Sequence, residues 1–198
     1  MKLARDFYTR ADTLSVAREL LGKLLVVPAK DGRRVSGRIV EVEAYVGTDD
    51  RASHAYGGRR TARNRTMYRS GGVAYVYLVY GLHHQFNVVT GPPGEPHAVL
   101  VRALEPREGV EQMRERRASR DDRALASGPG KLCRALAIDR SFDGEDLTGA
   151  RVWLEDEGFR PEPAHVAAGP RVGVAYAARD ALRPYRFWLR GNAFVSRK

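Results

Sequence analysis

Apolar and polar positions alternate along several short stretches of the chain, which is the pattern of β-strands whose two faces meet different surroundings. The clearest of these is the segment 73–80, VAYVYLVY. One face of it carries Tyr75, Tyr77 and Val79, and the other carries Val76, Leu78 and Tyr80. Further strands are predicted at 23–27, 35–45, 86–90, 98–104, 152–155, 171–176 and 185–189.

Other stretches have the spacing and the end signals of helices. Asp12 can cap a helix that runs to about Leu21, where Gly22 ends it. Pro106 is placed to begin a second helix that reaches about Ala118. A third is predicted after the turn SGPGK at 127–131, whose exposed N–H groups either attract phosphate or form an ordinary capped start.

The stretch 38–59, RIVEVEAYVGTDDRASHAYGGR, combines carboxylates, aromatic rings and a histidine. On a strand, Glu41, Glu43 and Tyr45 share one face with Ile39, and the apolar residues between them take the other. If the apolar row packs into the core, the charged row faces either a ligand cleft or plain solvent. Both readings remain open at this point.

Composition is typical of one compact domain spanning residues 1–198. The chain is 43% hydrophobic and has one cysteine, so neither an internal disulfide nor a multi-thiolate zinc site is expected. Its five histidines form no metal-binding motif, and we expect no metal. No signal peptide and no run of roughly 20 apolar residues is visible, so a cytoplasmic protein is expected, with no membrane partner.

The net charge of +10 arises from 34 Lys and Arg against 24 Asp and Glu. Such an excess suggests a polyanionic partner, although solubility or attraction to a membrane surface would also explain it. Aromatic rings among arginines suit bases and phosphates respectively. An enzyme that acts on a base must extrude it from the duplex, and hydrolysis of the N-glycosidic bond then needs a water activated by a carboxylate.

Seven blocks carry a specific resemblance along nearly the whole chain. They are ARELLGKLLV, GRIVEVEAYVG, SHAYGGRRTARNRTMY, AYVYLVYG, VLVRALEP, SGPGKLCRALAI and RFWLRG. In these blocks the chain resembles 3-methyladenine DNA glycosylases of the alkyladenine (N-methylpurine) family. It departs from the family pattern at 82–84 and 91–97, so the preferred lesion is not implied.

The resemblance implies a role for each matching residue. Glu43 matches the general base that activates the water, and Arg102 matches a residue that helps to hold this water. Tyr45 and His54 match the groups on one side of the flipped base, and Tyr77 matches the group on the other. The amide N–H of His54 is expected to read the purine edge.

Five further positions follow from the same resemblance. Tyr80 matches the side chain that fills the gap left in the duplex, and Asn87 matches the residue that crowds the amino group of guanine. Arg59, Tyr75 and Lys131 are candidates for contacts with the DNA backbone. Simpler readings stay open, because Arg102 could be an ion-pair partner of Glu41 or Glu43, Asn87 a turn residue, and the tyrosines packing residues.

The family implies an α/β (α+β) fold with a curved, largely antiparallel sheet, peripheral helices and a protruding β-hairpin. It also implies excision of damaged purines from double-stranded DNA without a cofactor. The oligomeric state stays open, with a monomer as the default expectation for an enzyme that reads a duplex. No lysine lies in the catalytic block, which predicts a monofunctional enzyme with water as the nucleophile. The alternatives are a non-catalytic nucleic-acid-binding module and a hydrolase of free nucleosides.

Overall fold

The computed structural model describes residues 1–29 and 31–197, and its longest strand, β2, lies at the centre of the sheet. The strands are β1 (Leu24–Pro28), β2 (Arg34–Val46), β3 (Ala74–Val79), β4 (His83–Thr90), β5 (His97–Glu108), β6 (Trp153–Glu155), β7 (Val166–Gly169) and β8 (Arg186–Leu189). The α-helices are α1 (Arg5–Tyr8), α2 (Thr13–Leu20), α3 (Val110–Arg117), α4 (Asp122–Leu125) and α5 (Pro129–Leu136).

The sheet is open and runs in the order β3-β4-β5-β2-β1-β6. β2 pairs with β5 along one edge, while its other edge pairs first with β1 and then with β8, which carries β7. These pairings are antiparallel, so the predicted α/β fold with an antiparallel sheet and peripheral helices is confirmed. No helix in the described chain is long and apolar enough to cross a membrane.

The two faces of the sheet bury different sets of residues. Ala74, Val76 and Phe86 belong to the main apolar core, to which α2, α3 and α5 contribute. Tyr75 and Tyr77 alternate with those residues and form a separate cluster with Met67, Val89 and Ala98. The helices therefore cover one face, and the tyrosines predicted to share a face do so on the other.

Alternation on β2 breaks at one point. The pairing of β2 with β5 shifts register between Ile39 and Glu41 and again between Glu41 and Val42. Ile39 consequently lies in the main core with Val40 and Val42, and the prediction that it shares the face of the glutamates is wrong. A bulge of this kind re-aims side chains, and here it lies next to both glutamates.

Two predicted elements are wrong, and the others lie close to their predicted positions. Pro106 does not begin a helix, because β5 continues through it to Glu108 and pairs it with Gly37 at a register shift, where proline is tolerated. α3 begins only after Gly109, which has a φ of 67°. The segment 171–176 forms no strand, and β7 lies just before it.

Helix α2 begins as predicted. The Asp12 side chain accepts hydrogen bonds from the backbone N–H groups of Leu14 and Ser15. This satisfies two of the four amides that a helix start leaves without partners.

The β3–β4 hairpin carries the most exposed aromatic residue of the described chain at its tip. Tyr80 is 90% exposed and has a φ of 51°, a backbone conformation that a tyrosine seldom adopts. Gly81 and Leu82 complete the turn, and Leu82 is also exposed. The hairpin thus presents two nearby apolar side chains to its surroundings.

Candidate active site

Glu43 is completely buried at the end of the central strand, so it does not lie on a solvated face. Its Oε1 accepts a hydrogen bond from the Val172 amide at 2.7 Å and lies 3.2 Å from Nη1 of Arg102. Its Oε2 accepts a hydrogen bond from the Tyr45 hydroxyl at 2.9 Å. A carboxylate offers about four lone-pair positions, so these three contacts leave room for one further donor, such as a water.

Arg102 joins this carboxylate to a second one. Its Nε donates to Oε1 of Glu41 at 2.9 Å, while its Nη1 faces Glu43. Of the alternatives left open by the sequence, Arg102 is therefore the ion-pair partner of both glutamates. Burial works against its charge, but Glu43 and Glu41 raise the pKa of the guanidinium above its usual value.

Glu41 is as deeply buried as Glu43 and is held by other parts of the chain. Arg186 Nε donates to its Oε1 at 2.7 Å, and the Ser196 amide donates to its Oε2 at 2.6 Å. Burial alone would raise the pKa of Glu41, yet the contact with Ser196 and the charge of Arg102 lower it below the usual value. The predicted charged row is thus a buried ionic network.

Next to Tyr45, whose hydroxyl contacts Glu43, aromatic side chains surround a small cavity of about 40 Å³. The His54 ring lies 4.6 Å from the Tyr77 ring, edge to face at 71°, and Tyr75 lies 5.1 Å from Tyr77. The other lining residues are Tyr45, Ala52, Met67, Asn87, Ala98 and Tyr176. Because His54 and Tyr77 are in contact, no base-sized gap lies between them in this arrangement.

His54 is held as a neutral ring. Its Nδ1 lies 2.8 Å from the Tyr75 hydroxyl. Burial, followed by the charges of Arg63 and Arg59, lowers the pKa of His54 to about 4. The backbone carbonyl of His54 accepts from Asn64, whereas its amide N–H has no acceptor within the described part of the chain.

Asn87 lies within β4 and is 2% exposed, so its reading as a turn residue is wrong. Its Nδ2 donates to the backbone carbonyl of Tyr75 at 3.0 Å, across the β3–β4 pair. This bond fixes the side chain of Asn87, which lines the aromatic pocket.

Outside the pocket lies a basin of about 540 Å³ that is rich in arginine. Arg51, Arg59 and Arg63 line it together with His54 and Tyr176. The backbone carbonyl of Arg59 accepts hydrogen bonds from two side chains, while its own side chain is exposed. No carboxylate is among the lining residues that the structure describes, so the basin suits an anion.

A second groove, of about 800 Å³, lies between the β3–β4 hairpin and α5. Tyr80 and Lys131 line it with Arg117 and Arg134. Neither Tyr80 nor Lys131 is among the residues around the aromatic pocket, so the predicted site residues fall into three groups. Glu43, Arg102 and the pocket residues form the first, Arg59 in the basin is the second, and the hairpin groove holds the third.

The sequence reading missed a buried ion pair that anchors the segment after β7. Arg171 and Asp50 have completely buried side chains, and Arg171 Nη2 donates to Asp50 Oδ1 at 2.7 Å. Arg171 also donates to the carbonyl of Ala44. This anchor places Val172 against Glu43. The Asp-Asp run at 49–50, directly after β2, was the available signal, but it reads equally well as an ordinary turn.

Tyr176 was also missed. It lines both the aromatic pocket and the arginine basin, yet it is 70% exposed and its hydroxyl makes one hydrogen bond of 3.3 Å to the Ala52 carbonyl. In residues 1–29 and 31–197, no group of three His, Cys, Asp or Glu side chains is arranged to hold a metal ion.

The sequence of the chain is similar to those of proteins of one family. The family model described as methylpurine-DNA glycosylase matches residues 6–193. A protein of Desulfitobacterium hafniense named "Putative 3-methyladenine DNA glycosylase" is 48% identical over 205 residues, covering 100% of this chain and 99% of the relative. A protein of the same name from Bacillus cereus strain G9842 is 46% identical over 210 residues, with both chains fully covered.

The pKa of His54 can be measured directly. An NMR titration of the ring should give a value of about 4, well below the usual value near 6.5, because burial and two arginines oppose its protonation. The stability gained from a neutral His54 should be complete above about pH 6.5 and be lost as the pH falls towards 4. An ordinary titration near 6.5 would contradict the buried, neutral ring.

The Asp50–Arg171 pair should behave as a buried ion pair in urea denaturation. Replacing Arg171 by Met leaves the Asp50 charge without compensation and should lower the free energy of unfolding by about 3–5 kcal/mol. Adding Asp50→Asn should recover part of this loss. Arg33→Met, which removes the exposed partner of Asp31, is the control and should have little effect. Additive single effects would argue against the coupling.

Proposed function

The chain belongs to the methylpurine-DNA glycosylase family, and on this premise we propose that it excises alkylated purines from duplex DNA through a water activated by Glu43. The observation that carries the proposal is the buried Glu43 carboxylate, paired with Arg102 and hydrogen-bonded to Tyr45, which lines an aromatic pocket. The product would be a free purine and an abasic site.

Glu43 is the general base in this proposal. The amide of Val172 and the hydroxyl of Tyr45 fix both carboxylate oxygens, so the group needs little reorganisation to orient a water. Arg102 Nη1 pairs with the carboxylate and is close enough to share the same water. An N-alkylated purine is already cationic and leaves readily, so one carboxylate suffices without a second acid.

The damaged base would be extruded into the aromatic pocket. A cavity of about 40 Å³ has room for only a few waters, so the base must displace part of the wall. Among the lining residues Tyr176 is the exposed one, and a single long hydrogen bond holds its side chain. Moving Tyr176 would therefore cost less free energy than moving any other part of the wall. The N–H of His54 and the side chain of Asn87 would then meet the edge of the purine.

Tyr80 would fill the gap that the base leaves. Its exposure at the tip of a hairpin suits insertion between base pairs, and Lys131 lies in the adjoining groove, where a phosphate could bind. Arg59 offers a second backbone contact in the basin, whereas Tyr75 is buried and acts through His54. The logarithm of the binding constant should fall linearly with the logarithm of the salt concentration, and each neutralised phosphate should add about 0.9 to the steepness of this slope.

The reaction would be a simple hydrolysis by a monomer. No lysine lines the aromatic pocket in the part of the chain that the structure describes, so water rather than an amine is the proposed nucleophile. The enzyme would leave the DNA strand intact. Acting on the chromosome, it would work in the bacterial cytosol.

Glu43→Gln tests the proposed base. The substitution keeps the size of the side chain but removes its basicity, so purine release should fall by at least about 100-fold while binding to methylated duplex persists. Released bases are separated by chromatography, and binding is measured by gel shift. Glu95→Gln, at an exposed position, is the control. Turnover that survives in the Glu43→Gln variant would remove this mechanism, and DNA binding without purine release by the wild type would favour a binding module.

The proposed insertion of Tyr80 into the duplex can be tested separately from the hydrolysis step. Tyr80→Ala removes a ring worth about 1–3 kcal/mol of stacking on bases, so excision from duplex DNA under single-turnover conditions should fall by roughly tenfold or more. Tyr80→Phe keeps the ring and should remain near the wild type. Equal losses in both variants, or none in either, would contradict the wedge role.

A further inference from the structure

Two of the three rings proposed to hold the flipped base, those of Tyr45 and Tyr77, already have a guanidinium of this chain against them. The guanidinium carbon of Arg171 lies 4.8 Å from the centre of the Tyr45 ring, and that of Arg63 lies 5.1 Å from the centre of the Tyr77 ring. A cation is attracted to an aromatic ring by the negative potential of its face. A positively charged purine would thus share each ring with a second cation.

The two arginines differ in how their charge is compensated. Arg171 is buried and forms a two-bonded pair with Asp50, which neutralises it. Arg63 has no carboxylate partner among the described residues, and its side chain donates a hydrogen bond to the neutral backbone carbonyl of Leu78, at 3.3 Å. Of these two arginines, Arg63 is therefore the one whose positive charge is uncompensated.

The charge of Arg63 acts on groups inside the pocket. After burial, it is the largest influence that lowers the pKa of His54, ahead of Arg59. Arg63 lines the outer basin but not the aromatic pocket itself, so it can repel a charged base without blocking the space. The opposing charge, that of Glu43, is already shared with Arg102.

We propose that Arg63 is a specificity-determining residue that weakens the preference of the pocket for cationic purines relative to neutral damaged purines. The proposal rests on the excision function proposed above. A guanidinium that only bound the DNA backbone would affect all lesions alike, because the phosphate is common to them. The ratio of two lesions in one duplex sequence therefore isolates the effect on the base.

The experiment compares 7-methylguanine, which is cationic, with hypoxanthine, which is neutral, in otherwise identical duplexes. Arg63→Gln should raise the ratio of the two single-turnover efficiencies, 7-methylguanine over hypoxanthine, by roughly three- to tenfold, the range left after solvent screening of an exposed charge. Arg63→Lys keeps the charge and should retain most of the wild-type ratio. Raising the salt concentration should reduce the effect.

Arg60→Gln is the matched control. Arg60 lies on the same loop, is exposed, and has its guanidinium 4.1 Å from the Tyr68 ring, which is outside the aromatic pocket. Its loss should leave the lesion ratio within about twofold of the wild type, since the separation from the base weakens the interaction. An unchanged or lower ratio in Arg63→Gln, or an equal rise in Arg60→Gln, would overturn the proposal.

A second readout needs no catalysis. NMR titration of His54 should show its pKa rising in Arg63→Gln and staying near about 4 in Arg60→Gln. If the wild type released no purine while this difference held, the excision function would fail but the charge at the pocket would stand. If His54 titrated alike in all variants, the role of Arg63 would be overturned whether or not purines were released.

Discussion

The rest of the structure depends on two carboxylates buried two residues apart on the central strand. Removing Glu41 and Glu43 from water is costly unless each is paired and hydrogen-bonded. The donors come from distant parts of the chain: Arg102 from β5, Arg186 from β8, and backbone amides from the segments near 172 and 196. Forming this network therefore requires the sheet, its edge strands and the loops over them to be in place together. The site is consequently a product of the whole fold.

The same constraint fixes Glu43 in the position that the proposed role of general base requires. Glu41 takes the Nε of Arg102 and leaves Nη1 for Glu43, so one guanidinium is shared by the two acids. Glu41 has its oxygens engaged by Arg102, Arg186 and Ser196, and it serves to position the guanidinium. Glu43 also has three partners, but one of them is Tyr45, which lines the aromatic pocket. The difference between the two residues lies in their partners, since both are equally buried.

Most of the fold was predictable because period-two patterns and turn residues are local signals. The segment 73–80 shows this, and so does Asp12 at the start of α2. The prediction of a helix start at Pro106 was wrong because β5 accommodates this proline at a register shift against Gly37, and no local sequence pattern reveals such a shift. The site residues came from a family resemblance rather than from spacing. Arg171 and Tyr176 were missed because their roles depend on contacts with residues more than 120 positions away.

The closed state of the pocket bears on selectivity. With the His54 and Tyr77 rings in contact and Tyr176 in the pocket wall, the purine of the proposed function would have to open the site before it could stack. An undamaged base also has to leave its own pair and stack, whereas a lesion has already lost part of that stabilisation. A normal purine bears the full cost of opening the pocket and the full cost of leaving its pair and stack. A damaged purine bears the first cost in full but only part of the second. In the proposed function the cost of opening the pocket is therefore the same for both bases, and the lower cost of leaving the duplex is what favours the damaged one. The charges around the pocket would then act on the bases that enter.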